Sequence, residues 1–382
     1  MRVIFAAGFL ATLASAFGQA LIDPSDAAHI APYFEPDRRE KILRCEVSPI
    51  PPGLNFSFRF QTGYVFRVPM EQFRGPGHRW SIVTRVRPEG GAQPSYLGAE
   101  IGLPNVPKTK RVVEWGGFYW VGEGRYSVDF LLYDDASRIC RKHWTMEAKL
   151  SDSERGITPG MTAGSVAQVF FRRWSLLDKT ADRPTLRRLT VLMHAAPLFP
   201  RNTRFHAQDR LMLLGSLASL LESLPARSVR LVIFNLDQQR ELFRQDSFTP
   251  EAFPQAGQSM NGLQLQLVDY SVLKNQRGHI DLLADLMNQE LSARDPSDVV
   301  IFLGPPTRYL DKLPKTMLEE RTGIAPRFFY FQYKPFTRPA AEFSDSIESA
   351  IKRVHGRTFA IHSAGEFAKA IRQVESQVAG ER

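Results

Sequence analysis

Two polar side chains follow buried strands that the sequence predicts in the second half of this chain. His194 comes directly after the apolar run of residues 189–193, and Asp237 comes shortly after the apolar run 229–234. Open α/β sheets bind ligands just beyond the carboxyl ends of their strands, so both side chains stand where chemistry would be expected. A histidine and a carboxylate that meet there could act as base and acid in a hydrolase.

The loop that carries His194 lacks the other groups that such chemistry needs. Residues 194–198 contain no carboxylate, no hydroxyl and no glycine cradle. The chain also lacks Gly-x-Ser-x-Gly, Gly-x-x-x-x-Gly-Lys and His-Glu-x-x-His, which mark serine hydrolases, phosphate-binding loops and zinc peptidases. A lone histidine beside two alanines is more typical of a loop or core residue than of a zinc ligand. The sequence therefore favours a protein that is not an enzyme, with the hydrolase as an alternative.

Strands and helices are predicted to alternate over residues 186–378, which include the strands that lead to His194 and Asp237. The helix at 207–224 places its leucines on one face. The order predicts an α/β domain with a doubly wound, mostly parallel sheet and helices on both faces. Further strands are expected at residues 263–267, 298–303, 326–332 and 357–362, and further helices at 279–291, 344–355 and 363–376.

Residues 44–150 have a different pattern. Short aromatic and β-branched segments alternate with period two and are separated by turn signals. This pattern predicts an antiparallel β-sandwich. Residues 21–43, which are polar and carry three prolines, are expected to form an arm ahead of it. Residues 151–185 are expected to be a connector, with a weak helical pattern over 161–178.

The first twenty residues predict a signal peptide. Arg2 is followed by uncharged residues up to position 17, and small residues suited to cleavage stand at Ala16 and Ala20. The apolar run is too short for a transmembrane helix, and no later run reaches about 18 apolar residues. We therefore expect an exported protein, periplasmic or extracellular, with no integral membrane segment after cleavage at Ala16 or Ala20.

The two cysteines of the chain, Cys45 and Cys140, stand near the start and the end of the predicted sandwich. An even number of cysteines in an exported protein is typical of disulfide bonding. We therefore predict one disulfide bond between them.

The charge balance does not indicate a nucleic-acid-binding protein. The formal net charge is +9, and 43% of the residues are hydrophobic against 23% charged, which is ordinary for a globular protein. The basic residues are scattered and are not interleaved with aromatic residues at helical spacing. We interpret them as a solvated surface and expect a protein partner instead.

The order of elements over residues 187–378 resembles a von Willebrand factor type A domain. In that family a core strand like residues 232–237 is followed by a short antiparallel edge strand, here residues 240–243. The N-terminal region, with residues 113–120, resembles the leading domain of exported acidobacterial proteins called VWFA-related. The other segments that carry the resemblance are residues 189–193, 207–224, 298–304 and 356–367.

The resemblance implies a degenerate metal site. The family holds Mg²⁺ through Asp-x-Ser-x-Ser after the first strand, because this cation prefers oxygen ligands. The corresponding positions here are His194, Ala196 and Leu198, and the family's later aspartate falls at Gly304. We therefore expect neither a bound metal nor a cofactor.

These observations together predict an exported, non-enzymatic binding or scaffolding protein. Recognition is expected through the loops of residues 194–204 and 304–312, at the carboxyl end of the sheet. Carbohydrate binding by the sandwich aromatics in residues 116–120 is an alternative, beside the hydrolase at His194 and Asp237. The residues expected to contact the partner are His194, Arg201, Arg204 and Pro305.

Overall fold

The computed structural model divides the chain into two compact units. The first comprises the described residues up to Ser151 together with 158–169, and the second comprises 152–157 and the described residues from 186 onward. The predicted signal peptide up to residue 18, and Arg201, lie outside the described residues. The structure describes residues 19–35, 39–91, 93–103, 105–169, 186–199, 202–265, 270–319, 325–334 and 344–379.

The described part of the first unit contains ten strands in two sheets. One sheet has the order β1-β6-β5-β8-β9-β2 and is antiparallel except for the pair β2–β9, and the other has the antiparallel order β10-β7-β4-β3. The elements are β1 (Ala20–Leu21), α1 (Pro24–Ile30), β2 (Lys41–Ile42), β3 (Glu46–Leu54), β4 (Phe60–Pro69), β5 (Arg79–Pro88), β6 (Ser95–Gly102), β7 (Val112–Val121), β8 (Gly124–Asp134), β9 (Arg138–Ala148) and β10 (Val166–Gln168).

The two sheets of the first unit share one apolar core. Alternate residues of β4 and β5 point inward, as the period-two pattern predicts. Tyr64 and Phe66 of β4 pack in the same cluster as Trp80 of β5 and Phe130 of β8, which belong to the opposite sheet. The sheets therefore face each other in a sandwich-like arrangement.

The predicted N-terminal arm is part of this unit. β1 pairs with β6, β2 pairs with β9, and Phe34 and Leu43 are buried. Because these two side chains are buried, the segment is packed in the first unit. It is not the free arm that its prolines suggest. The predicted connector also contributes, because Val166–Gln168 is a strand paired with β7 and not a helix.

A disulfide bond joins Cys45 and Cys140, whose Cα atoms are 6.1 Å apart. The prediction of this bond is confirmed. Cys45 directly precedes β3 and Cys140 lies in β9, so the bond connects the two sheets. It closes a loop of 95 residues that contains most of the unit's strands.

The second unit contains a six-stranded sheet with the order β13-β12-β11-β14-β15-β16. Every neighbouring pair is parallel except β12–β13, which is antiparallel. Its described elements are β11 (Leu186–His194), α2 (Ala207–Ser223), β12 (Ala226–Asn235), β13 (Arg240–Gln245), α3 (Phe253–Ser259), α4 (Tyr270–Lys274), α5 (Gly278–Leu291), β14 (Val299–Gly304), β15 (Arg327–Tyr333), α6 (Ser346–Arg353), β16 (Arg357–Ile361) and α7 (Ala364–Ala379).

Helices cover both faces of this sheet. Tyr330 of β15 packs in a cluster with α5 and α6, whereas its neighbour Phe331 contacts Phe367 of α7. Successive residues of a strand point to opposite faces, so the two helix groups lie on opposite sides. All six residues of β14 are buried, as the continuous apolar run predicts. The chain is therefore α/β with several sheets, both parallel and antiparallel.

The strand predicted at residues 263–267 is absent from residues 263–265, and residues 266–267 lie outside the described ranges. A 3₁₀ turn, Met260–Gly262, ends there, and the Leu263 amide donates to the carbonyl of Met260. Met260 and Leu263 are buried, so the first leucine of the predicted strand is buried at the end of a turn. No helix in the described ranges is long and apolar enough to cross a membrane.

Candidate functional site

His194 is the last residue of β11, in the middle of the parallel sheet, and only 2% of its surface is exposed. Its ring stacks on Phe234, with ring centroids 5.4 Å apart. Its Nδ1 atom lies 3.1 Å from the carbonyl oxygen of Pro305, which can only accept a hydrogen bond. Burial lowers the pKa of the imidazole. The ring is therefore neutral, with its proton on Nδ1, and Nε2 has no hydrogen-bond partner among the described residues.

Gly304 brings the end of β14 close to His194. Its φ angle is +144°, and a Cβ atom there would lie 2.6 Å from the carbonyl oxygen of His194. Side chains rarely adopt this backbone conformation, and the space is already filled. The position where the resemblance implies an aspartate thus accepts only glycine in this backbone.

Asp345 is the centre of a buried hydrogen-bond network beside His194. The side chain is 2% exposed and caps the N-terminus of α6, where Oδ1 accepts from the Glu348 amide at 2.7 Å. Its Oδ2 accepts from the Thr307 amide at 3.1 Å, from Gln332 Nε2 at 3.0 Å and from Tyr330 Oη at 3.2 Å. Burial raises the pKa of this carboxyl, and the hydrogen bonds oppose that shift.

Tyr330 connects this carboxylate with His194. Its hydroxyl also lies 3.2 Å from the carbonyl oxygen of Pro305, the atom that His194 contacts. Burial raises the pKa of the phenol far above its ordinary value, so the group remains a neutral donor. The side chains of His194, Tyr330, Gln332 and Asp345, with the carbonyl of Pro305, are hereafter the polar network.

Asp237 does not contact His194 through a hydrogen bond. It is half-buried, and its Oδ1 lies 3.1 Å from Nε of Arg308 in an ion pair. The donor nitrogen of His194 is already bonded to Pro305. The two side chains that the hydrolase alternative pairs are therefore not joined by a direct hydrogen bond in this structure.

Beyond the polar network, the loops that follow β11 and β14 expose apolar and basic side chains and one acid, Asp311, which lies 3.0 Å from Nε2 of His279. Phe199 is 46% exposed and Leu310 is 56% exposed. Arg204, Arg308 and Lys312 are also exposed. These five apolar and basic residues are hereafter the carboxyl rim.

The four residues predicted to contact a partner have different environments. His194 and Pro305 are buried, so neither side chain offers a surface to a partner in this conformation. Arg204 is exposed on the carboxyl rim, and Arg201 lies outside the described residues. The described residues contain no group of three or more His, Cys, Asp or Glu side chains that could hold a metal ion.

The sequence patterns do not single out Tyr330, Gln332 and Asp345. Two local signals are present in the sequence. Asp345 stands three residues before Glu348, a typical N-cap spacing. Gln332 is polar within an aromatic strand, which hints at a buried polar contact. Neither signal identifies which residues of the neighbouring elements form hydrogen bonds with these side chains.

The sandwich aromatics that the carbohydrate alternative relies on are largely core residues. Tyr119 and Trp120 are buried, and Arg59 covers the ring of Trp120 with its guanidinium carbon 4.6 Å from the ring centroid. Phe118 is half-buried. Neither Tyr119 nor Trp120 can stack on a sugar in this conformation.

The burial of His194 predicts a measurable pH dependence. Its pKa is lowered in the folded chain, so the unfolded chain takes up a proton first as the pH falls below about 6.5. The stability that neutral His194 contributes is complete above that pH and is lost as the pH falls towards the folded pKa. The stability advantage of the wild type over His194→Asn, measured by urea unfolding, should shrink by up to about 1.4 kcal/mol per pH unit.

Gln264→Asn is the matched control for this experiment, because Gln264 is exposed, lies in the same unit as His194 and carries no titratable group. Its stability difference from the wild type should stay constant over the same pH range. A constant difference for His194→Asn as well would contradict the neutral, buried assignment.

Comparisons with known proteins identify no family. No known family profile and no curated protein matches the chain. Among solved structures, the putative ApaA protein from Bordetella pertussis aligns with 29% of this chain over 99% of its own length, at 12% identity and a TM-score of 0.19. A Northeast Structural Genomics Consortium target aligns with 28% of this chain over 88% of its length, at 11% identity and a TM-score of 0.20.

A calcium-binding mutant of β-glucuronidase 2 from Bacteroides uniformis shows a broader match. The alignment covers 81% of this chain but only 38% of that protein, at 10% identity and a TM-score of 0.18. At such TM-scores none of these similarities supports an argument about the fold or the function of this chain.

Proposed function

We propose that this chain is an exported, non-enzymatic binding or scaffolding protein that recognises a protein partner through the carboxyl rim, without a metal ion. One observation carries the proposal. The polar groups at the carboxyl end of the sheet bond to one another in the buried polar network, whereas the carboxyl rim is apolar and basic. Asp311, the exposed acid of the same loop, pairs with His279. Such a surface suits recognition better than bond cleavage.

The topology of the second unit supports a von Willebrand type A-like fold within this proposal. A short antiparallel edge strand, β13, follows β12, and the first strand of the sheet, β11, lies at its centre between β12 and β14. The resemblance implies the edge strand, and the central place of β11 is compatible with a doubly wound sheet. Proteins with such a sheet would place recognition at the strand ends, where the carboxyl rim lies.

The composition of the rim indicates the chemistry of the partner. Phe199 and Leu310 offer apolar contact area, and Arg204, Arg308 and Lys312 are cationic. Arg308 already pairs with Asp237, so Arg204 and Lys312 provide the positive charge without that ion pair. A partner with carboxylates beside an apolar side chain would complement this surface.

Photocrosslinking tests the proposal at a defined position. A photoreactive amino acid replaces Leu310 on the rim in one variant and Arg294 in another, because Arg294 is exposed before the amino end of β14. We expect a discrete crosslinked protein from position 310 only. Adding Arg204→Glu should reduce that product at least about tenfold, since a charge reversal at a rim contact costs about 1.4 kcal/mol or more.

Arg294→Glu is the matched control for this charge reversal, and it should leave the yield from position 310 unchanged. Equal crosslinking from positions 310 and 294, or no effect of Arg204→Glu, would contradict recognition at the rim. Identification of the crosslinked protein by mass spectrometry would then name the partner.

A metal titration separates this proposal from a cation-dependent switch. A ligand that binds only the folded state stabilises it by about 2.7 kcal/mol at a hundredfold excess over Kd. Thermal unfolding with millimolar Mg²⁺, Mn²⁺ or Ca²⁺ should coincide with unfolding in chelator, because Ala196, Leu198 and Gly304 offer no side-chain oxygen. A contrary result would be a rise in Tm with metal that persists in Arg204→Glu and disappears in His194→Asn. That result would show a metal site near His194.

A further inference from the structure

Gln19 is part of the core of the first unit. Only 3% of its surface is exposed, and its Nε2 atom donates hydrogen bonds to Tyr64 Oη and, at 3.2 Å, to Thr84 Oγ1. Tyr64 lies in β4 and Thr84 lies in β5, in opposite sheets. The Gln19 amide thus connects the two sheets from inside.

The surroundings of Gln19 are shaped to receive it. A Cβ atom on Gly117 would lie 2.8 Å from Gln19 Oε1 and 2.7 Å from Tyr64 Oη, so the absence of a side chain at this position leaves room for the amide. Tyr64 is fully buried, and burial raises the pKa of its hydroxyl, which remains a neutral hydrogen-bonding group. Without the glutamine side chain, a cavity would remain between Tyr64, Thr84 and Gly117.

The residues that follow Gln19 hold it in place. Ala20 pairs with Gly98 and Leu21 pairs with Leu97 in the ladder between β1 and β6. The Leu21 amide also donates to Gln168 Oε1 at 2.8 Å. The folded first unit therefore includes Gln19 and Ala20.

Two positions in the sequence suit removal of a leader, and the structure distinguishes them. Ala14-x-Ala16 and Gly18-x-Ala20 both have the small-x-small pattern of a signal peptidase site. Cleavage after Ala20 would remove the Gln19 side chain from the core and half of β1. Cleavage after Ala16 would keep both.

We infer that the leader is removed by hydrolysis of the Ala16–Phe17 peptide bond. The mature chain then keeps Gln19, whose buried side chain fills the space between the two sheets of the first unit. Water supplies the hydroxyl to the Ala16 carbonyl carbon and the proton to the Phe17 amine, and a signal peptidase is the catalyst. This inference rests on the export in the proposed function.

The first experiment reads the mature N-terminus. The full chain is expressed in a bacterium, the exported protein is purified, and its first residue is determined by N-terminal sequencing and intact mass. A first residue at Phe17 supports the inference. A first residue at Leu21 would overturn it while leaving the proposed export standing, whereas intact Met1 in the cytoplasm would overturn both.

The second experiment measures the role of Gln19 without export. Chains that begin at Phe17 and at Leu21, each after an initiator methionine, are compared by thermal unfolding. We expect the shorter chain to have a Tm lower by about 4–8 °C, the size of the shift for losing a buried hydrogen-bonded side chain from a unit of this length. Equal Tm values would overturn the structural basis of the inference.

A point variant covers the case in which the shorter chain fails to fold. Gln19→Ala in the chain that begins at Phe17 should lower the Tm by a similar amount, and its effect should be smaller in a Tyr64→Phe background because the two groups interact. Gln93→Ala is the matched control, since Gln93 is exposed in the same unit, and should shift the Tm by less than about 1 °C. Equal shifts from Gln19→Ala and Gln93→Ala would overturn the inference.

Discussion

Replacing both Cys45 and Cys140 with alanine is expected to lower the free energy of unfolding of the first unit by about 4–5 kcal/mol. The bond closes a loop of 95 residues, and the entropy that a crosslink removes from the unfolded chain grows with the length of its loop. It also joins the two sheets, through the residue before β3 and through β9. Urea unfolding of the double variant and the wild type measures the difference.

Reduction provides an independent control for this prediction. The wild type in excess dithiothreitol should unfold at the same urea concentration as the double variant. Hydrogen exchange should show lost protection in the first unit, which contains both cysteines, with the second unit unchanged. Free thiols in the denatured, non-reduced wild type, or equal stability of the two proteins, would contradict the prediction.

The sequence predicts those parts of the fold whose burial leaves a local pattern. The buried run of β14 appears as a continuous apolar segment, and the alternation in β5 reflects one face turned to the core. The N-terminal strands escape prediction because β1 and β2 have only two residues each. Their pairing depends on β6 and β9, which are distant in sequence, so no local period records it.

The candidate site shows the same division between local and distant information. The sequence places His194 at the end of a strand, because the apolar run before it is visible. Its burial depends on Pro305, which lies 111 residues later and meets it only when β11 and β14 pair. Tyr330, Gln332 and Asp345 come together through the register of β15 and the start of α6, and no motif encodes that meeting.

Asp345→Ala is expected to be the most destabilising point substitution at the carboxyl end of the sheet. The variant leaves the buried donors of Thr307, Tyr330 and Gln332 without this acceptor, at about 1–3 kcal/mol for each group that finds no other partner. Loss of the cap on α6 adds about 1 kcal/mol. Tyr330 keeps its contact with the carbonyl of Pro305, so the sum is reduced and we expect about 4 kcal/mol by urea unfolding.

Two variants decide whether this loss belongs to the polar network. Asp345→Asn keeps an oxygen that can cap α6 but turns one acceptor into a donor. Its free energy of unfolding should therefore lie between that of the wild type and that of Asp345→Ala. Asp285→Ala, an exposed site on α5 in the same unit, should change the stability by no more than about 0.5 kcal/mol. If Asp345→Ala lost no more stability than Asp285→Ala, the polar network would not stabilise the carboxyl end of the sheet. The loops of the carboxyl rim would then not be held in one conformation by that network. In that case recognition at the rim would need a partner that orders the loops on binding, so Arg204→Glu would still weaken crosslinking from position 310 whereas Asp345→Ala would leave it unchanged.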